Sequence, residues 1–416
     1  MSSCRLWGTG NAALSMAIAF TLGCDGRAAP TTVPRAVSSP DDSLGAEAPP
    51  ETTRNEPAAV TPPVVCAPEY IDTQEKLDAL EGCEIVTTGL VIAFDGADLR
   101  ALHALRIAEE GITVGIGVGQ IPSLEGLENL ERARLTLEGV QVSDLRALAN
   151  LRSLAPGHDE ERPGAALTVA DCPNLQSLEG LGQVPPLVHL TLAGNPLLTS
   201  LEPLQIAESS GALLLQNNPA LTDLGALLAV KTAERIELRE TALTTLDALS
   251  NLTRVDDLAI QRNALLSDIS GVASLESVGS LDVSGNVALG IVPEFPRLTR
   301  VTGGITLRDN ATLEAIEGFP LLTELGGDSG HLDIVDNPNL TRASAWPALE
   351  FANALVIQGN ARLEEIAFES LKSVNQRLVI ASNPLLSPAA LAPLRAVSPR
   401  SVAVQPQPCG EPCTNE

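Results

Sequence analysis

The sequence predicts a repeat solenoid: one long parallel β-sheet built from stacked coils of about 23 residues. A single frame, L-x-[LV]-x-x-[NC]-x-x-L-x-x-L, runs through "LTVADCPNLQSL" at Leu167, "LTLAGNPLLTSL" at Leu190 and "LLLQNNPALTDL" at Leu213. The same frame returns, with Ile, Val or Ala at some apolar positions, at Leu258, Leu281, Ile305, Leu332, Leu355 and Leu378. Its spacing is regular. From Leu167 to a last strand at Val402 the steps are 23, 23, 23, 22, 23, 24, 27, 23, 23 and 24 residues. A unit this short cannot bury its own apolar face, so neighbouring units must stack and share a core.

In chain order, residues 1–23 read as an export signal. Arg5 supplies a positive start and "AALSMAIAFTL", Ala12 to Leu22, an apolar stretch. Eleven residues rising ~1.5 Å each do not cross a ~30 Å hydrocarbon layer. The following "TLGC" resembles the lipobox of bacterial lipoproteins, with Thr21 where Leu is usual and Leu22 where a small residue is usual. That resemblance implies that Cys24 is acylated and becomes the mature N-terminus. The alternative is ordinary cleavage near "GRAA" and a freely secreted chain. Residues 24–65 carry eight prolines between Asp25 and Val65 and no apolar periodicity, the composition of a tether rather than a core.

Residues 66–89 read as a cysteine-containing N-terminal cap. Asp72 with Glu75 marks a helix start, Leu77 and Leu80 face inward, and Gly82 ends the helix. The solenoid follows over residues 90–404, with looser copies of the frame at Leu90, Ile116, Leu135 and Ile236 and an insertion, "APGHDEERPG", from Ala155 to Gly164. In each coil the L-x-L alternation makes a short strand with its Leu side chains inward. The next inward slot carries Cys172, Asn195, Asn218, Asn263, Asn286, Asn310, Asn337, Asn360 or Asn383. There an amide can satisfy backbone groups that a dry turn would otherwise orphan. At ~4.8 Å per coil, thirteen steps make a body roughly 60 Å long.

This frame resembles that of leucine-rich-repeat proteins and, more closely, the receptor L domain. The likeness rests on "ESVGSLDVSGNVAL", "LTRVTGGITLRDNATL", "LTELGGDSGHLDIVDNPNL" and "CAPEYIDTQEKLDALEGCEIVTTGLVI". It covers roughly Cys66 to Val404 and implies a right-handed β-helix with a short N-terminal capping helix and a ligand-binding role. Of the three pairings open to four cysteines, Cys66 with Cys83 and Cys409 with Cys413 keep partners at the same end of the array. Residues 405–416 are then a C-terminal cysteine tail. Cys172 falls in the asparagine slot, where a small thiol tolerates burial.

Chemistry is harder to find. No metalloprotease, nucleophile-elbow or phosphate-loop motif occurs; no cofactor or metal is expected, and the chain reads as a non-enzyme. His189 and His331 stand six coils, roughly 29 Å, apart. Acidic residues outnumber basic ones 52 to 26, which repels phosphate backbones and argues against nucleic-acid partners. The nine aromatics (6 Phe, 2 Trp, 1 Tyr) leave a polar surface for recognition.

The outward sheet face is the remaining candidate. Most coils place small or apolar residues there, among them Gly115 and Gly117. A middle block presents Arg235, Glu237, Arg239, Asp257, Gln261, Asp282, Arg308, His331 and Asp333. These side chains form either a ligand-reading patch or cross-strand pairs that keep an exposed face soluble. The function expected is a non-catalytic recognition or adhesion protein of the bacterial cell envelope. Its partner would be a surface protein or glycan, and its contact with membrane would run through the lipid anchor alone. The alternatives are a structural envelope protein without a specific ligand and a secreted solenoid.

Overall fold

Two inward apolar side chains two residues apart require an extended backbone, and a one-coil repeat then aligns equivalent strands in parallel. In the computed structural model, the main sheet follows that rule. Its strands are β1 (Leu90–Ile92), β2 (Ile112–Val114), β3 (Leu135–Glu138), β4 (Ala166–Ala170), β5 (His189–Ala193), β6 (Ser209–Asn218) and β7 (Thr232–Thr241). They continue as β8 (Arg254–Gln261), β9 (Ser277–Ser284), β10 (Gly304–Arg308), β11 (His331–Val335), β12 (Phe351–Gln358), β13 (Ser373–Ala381) and β14 (Val402–Val404). Sequence order is spatial order, every pair is parallel, and Arg300–Val301 adds a short strand beside β9. The structure describes residues 62–404 except 69, 118–119, 156–163, 327–329, 344–345, 388–389, 392–393, 395–396 and 398–401. Those residues all belong to the unit Thr61–Glu416. The export segment, Cys24, most of the tether, most of the acidic insertion, and Cys409 and Cys413 lie outside the described residues.

Register is one column. Leu90 faces Ile112, then Leu135, Leu167, Leu190, Leu213 and Ile236 in turn, and the column runs on through Leu258, Leu281, Ile305, Leu332, Leu355 and Leu378 to Val402. The inward side chains form one apolar cluster from Ile71 to Leu394.

One coil differs from the expected register. "GITVGIGVGQ" offers two overlapping alternations, and the strand uses Ile112 and Val114 rather than Ile116, which is exposed. Gly115 and Gly117 take φ of +91° and +69°, so the chain turns there and neither lies on the sheet face. A Cβ on Gly115 would stand 1.9 Å from the Glu138 carbonyl oxygen, so this turn, in the register observed, admits only glycine.

Around the sheet the coils change character. In the early coils a second strip of short strands precedes the main strand, at Val65–Cys66, Ile85–Val86, Ile107–Ala108, Arg132–Ala133 and Ser153–Leu154. On the return side, five 3-10 turns between Leu99 and Val272 give way to a four-stranded strip, Ile291–Glu294, Ala315–Gly318, Arg342–Ala343 and Glu365–Ile366. That change coincides with an aromatic column. Phe295, Phe319, Trp346 and Phe368 stack at 5.0, 5.7 and 5.4 Å between centroids, where the same corner of earlier coils holds leucines such as Leu204 and Leu227. The stacked rings add to plain burial, although the Trp346 Nε1 is buried without a hydrogen-bond partner among the described residues.

Helix α1 (Gln74–Asp78) precedes the first coil and buries Leu77. Its N-cap is Thr73, whose hydroxyl accepts from the Lys76 N–H at 3.4 Å, not Asp72. Asp72 pairs with the Lys76 ammonium at 2.8 Å, one turn on, which draws its carboxylate away from the cap. Cys66 and Cys83 form a disulfide with Cα atoms 6.1 Å apart.

The inward polar column binds the coils together. Each rung asparagine reaches back one coil with both ends of its amide. Asn310 Oδ1 accepts from the Asn286 N–H at 3.0 Å, and its Nδ2 donates to the Val283 carbonyl at 2.9 Å. Asn195, Asn218, Asn263, Asn286, Asn337, Asn360 and Asn383 repeat the pattern. These side chains are fully buried except Asn383, which is 5% exposed. The residue before each rung turns left-handed, with φ from 49° at Asp171 to 73° at Gly359, and that turn swings the rung side chain inward. Thr241 occupies the rung of the β7 coil, a position absent from the sequence frame. It donates its hydroxyl and its N–H to Asn263 Oδ1 at 2.6 and 3.0 Å and has no amide to reach back. There the strands take over, since β6 and β7 pair as far as Asn218 and Thr241.

Cys172 is the one thiol-bearing rung among the described residues. Its N–H donates to Asn195 Oδ1 at 3.2 Å, its thiol donates to the Ala170 carbonyl, and it is 1% exposed. Burial pushes the thiol up to about 11.

Replacing Asn310 by Ala leaves the buried Asn286 N–H without its acceptor and takes one donor from the Val283 carbonyl. It should cost about 2–5 kcal/mol in denaturant unfolding; a loss under about 1 kcal/mol would contradict the rung's role. For Cys172, the folded thiol keeps its proton to about pH 11 while the unfolded thiol, with an ordinary value of 9.0, loses it earlier. Its contribution to stability is therefore complete below pH 9 and falls away as pH rises through that window. At pH 8, peptide mass spectrometry after iodoacetamide should find Cys172 unmodified in the folded chain and alkylated in denaturant.

Candidate recognition face

On each strand, side chains that do not point into the core point out of the sheet, so outward residues form columns one strand apart. Over β7–β11 those columns carry the nine polar residues singled out from the sequence. The structure brings all nine together and pairs seven of them with one another, while Arg239 and His331 pair with neighbours outside the set. Arg235 lies across from Asp257, with Nη1 3.4 Å from Oδ2, and also reaches along its own strand to Glu237 at 3.1 Å. Glu237 is only 8% exposed, flanked in register by Leu214 and Ala259.

Arg239 pairs with Glu240 at 3.4 Å, and Arg262 reaches the same carboxylate at 3.3 Å. Gln261 donates to Asp282 at 2.5 Å, and Ser284 also donates to Asp282. Arg308 stands 3.8 Å from Asp333, and His331 Nε2 lies 3.3 Å from the Thr306 hydroxyl. Against Arg235, Arg239 and Arg308 stand four carboxylates, those of Glu237, Asp257, Asp282 and Asp333. The block is therefore close to neutral although the chain carries a net charge of -26.

The two sheet histidines stand at the starts of β5 and β11, each covering a glycine of a neighbouring strand. A Cβ on Gly211 would lie 2.1 Å from His189 Cε1, and one on Gly304 would lie 2.2 Å from His331 Cε1. The Ala212 N–H donates to His189 Nδ1 at 3.2 Å. N-terminal to the charged block the face is plainer. Thr113, Thr136, Thr168 and Thr191 stand side by side on β2–β5. This hydroxyl column is visible in the sequence only once Ile112 replaces Ile116 in the register.

No family model matches the chain. Sporulation-specific protein 2 of Saccharomyces cerevisiae is 30% identical over 158 residues, which cover 33% of this chain and 30% of the yeast protein. The chain thus matches less than a third of that relative's length. Among solved structures, an internalin from Listeria monocytogenes overlaps with 14% identity and a TM-score of 0.25, over 80% of this chain and 90% of that one. The structure of a TLR13–ssRNA13 complex overlaps with 13% identity and a TM-score of 0.22, over 79% of this chain and 64% of that one. At such scores neither structure sets the fold or the function of this chain, which rest on its own coils.

Proposed function

We propose that the chain is a non-catalytic recognition or adhesion module, an exported solenoid whose sheet face meets a surface protein or glycan. One observation carries the reading: nine polar side chains project from five adjacent strands and are held by one another or by immediate neighbours, so a partner meets a face already ordered. Cys24 supplies the lipid anchor, the proline-rich tether spaces the solenoid from the membrane, and α1 with the Cys66–Cys83 disulfide closes the first coil. The bacterial cell envelope is the place this design suits. The mutual pairing of the charges also favours a second reading, an envelope structural protein whose face is merely kept soluble.

Envelope extracts passed over immobilised protein distinguish the two. A specific partner should be retained by the wild type and by Glu364→Lys, away from the sheet face, and lost by the double reversal Arg239→Glu, Asp282→Lys. Equal retention by all three proteins would refute the patch. Labelling with radioactive palmitate should mark the wild-type chain and spare Cys24→Ala; label that survives the substitution would refute the anchor.

A further inference from the structure

A notch of about 80 Å³ opens on the side of the solenoid where β8 and β9 begin. Its walls follow from register. Arg254 starts β8, Ser277 starts β9 and Arg300 starts the short strand beside β9, and these three residues are direct partners across the ladder. Their side chains leave the backbone in one row, with the two guanidinium stems two strand steps, roughly 10 Å, apart. Gly279 and Thr302 complete the notch with Asp256. A Cβ on Gly279 would stand 2.1 Å from the Asp256 carbonyl oxygen, so that wall is bare backbone.

The row is rich in donors without acceptors. Among the described residues the side chains of Arg300, Ser277 and Thr302 make no hydrogen bond or ion pair. Arg254 has only Asp256, at 3.6 Å, with both side chains more than half exposed, and such a pair contributes little. Around the sheet face Arg235, Arg239 and Arg262 each have a nearer carboxylate, at 3.1, 3.4 and 3.3 Å, whereas Arg300 has none among the described residues. In a chain of net charge -26 the long-range field attracts no anion, so an unmatched guanidinium beside two unused hydroxyls acts through short contacts. The notch has room for about three waters, which is the bulk of one tetrahedral oxyanion. Guanidinium groups bind such oxygens through paired, charge-assisted hydrogen bonds.

We propose that this notch is a binding site for a single phosphate or sulfate group, held between Arg254 and Arg300, with Ser277 donating from the row between them and Thr302 from the notch wall two residues beyond Arg300. The site is separate from the charged block of the sheet face and from the recognition reading given above, which stands or falls without it. The test titrates the full chain with inorganic phosphate and follows the Ser277 and Gly279 amide signals by NMR.

The shifts should saturate, and Arg300→Gln should weaken binding about ten-fold or more, the usual weight of a hydrogen bond to a charged group. Ser277→Ala should weaken it by a smaller factor. Arg297→Gln, at a neighbouring exposed arginine outside the notch, should leave it within about two-fold, a background change for a surface substitution. Thermal unfolding of each variant establishes that the fold is intact. Flotation with neutral vesicles doped with phosphatidic acid identifies the source. Binding that is lost in Arg300→Gln marks a headgroup ligand, whereas phosphate binding without flotation marks a free oxyanion. Shifts that never saturate, or an Arg300→Gln affinity equal to wild type, overturn the proposal.

Discussion

A buried amide that cannot reach water must find backbone, and in this chain it finds the backbone of the coil before it. Each rung asparagine accepts one N–H and donates to one carbonyl of the preceding coil, and these are the groups a tight turn would otherwise leave dry. The sheet joins neighbouring coils along one side, and the rungs fasten the adjoining corner. Because both bonds point back along the chain, the ladder has a direction: Asn383 depends on no later rung, while Cys172 is held by Asn195.

The other features follow from keeping that corner closed. The left-handed residue ahead of each rung, including Glu240, Arg262 and other residues with a Cβ, is strain of about 1–3 kcal/mol per position that the inward bonds outweigh. At the β7 coil threonine keeps the shape but supplies neither of the two backward bonds, and the paired strands extend to cover the gap. Cys172 can stand in the first described rung because its own amide, not its side chain, is what Asn195 requires. The aromatic column marks another corner of the later coils, where rings larger than leucine accompany the change from 3-10 turns to a second strip of sheet.

Much of this could be read from residues alone, since the inward L-x-L pairs and the asparagine slot repeat in phase over most of the array. What could not be read depends on competition between near-equal local choices. "GITVGIGVGQ" alternates twice, and the choice of Ile112 over Ile116 shows only in the pairing with the neighbouring strands, where Ile112 stands between Leu90 and Leu135. Asp72 and Thr73 both suit an N-cap, and the Lys76 ammonium draws Asp72 away. Thr241 does not match the Asn/Cys frame. Phe295, Phe319, Trp346 and Phe368 lie 24, 27 and 22 residues apart, so the column was present as a period but hidden by the low aromatic count. Among the outward residues, strand register placed the nine together, but side-chain reach determined that Arg235 would share Asp257 and Glu237. The open row of Arg254, Ser277 and Arg300 depends on strand starts that the frame does not mark.

The face and the ladder therefore stand in a definite relation: outward residues are ordered because the coils beneath them are fastened one to the next. Native-state hydrogen exchange at the rung amides tests that relation most directly. The N–H groups of Cys172, Asn195, Asn263, Asn286, Asn310, Asn337 and Asn360 should exchange only through opening of whole coils, as slowly as the central strand amides β8–β10. Rung amides that exchange at the rate of ordinary surface turns, while the strand amides stay protected, would contradict it.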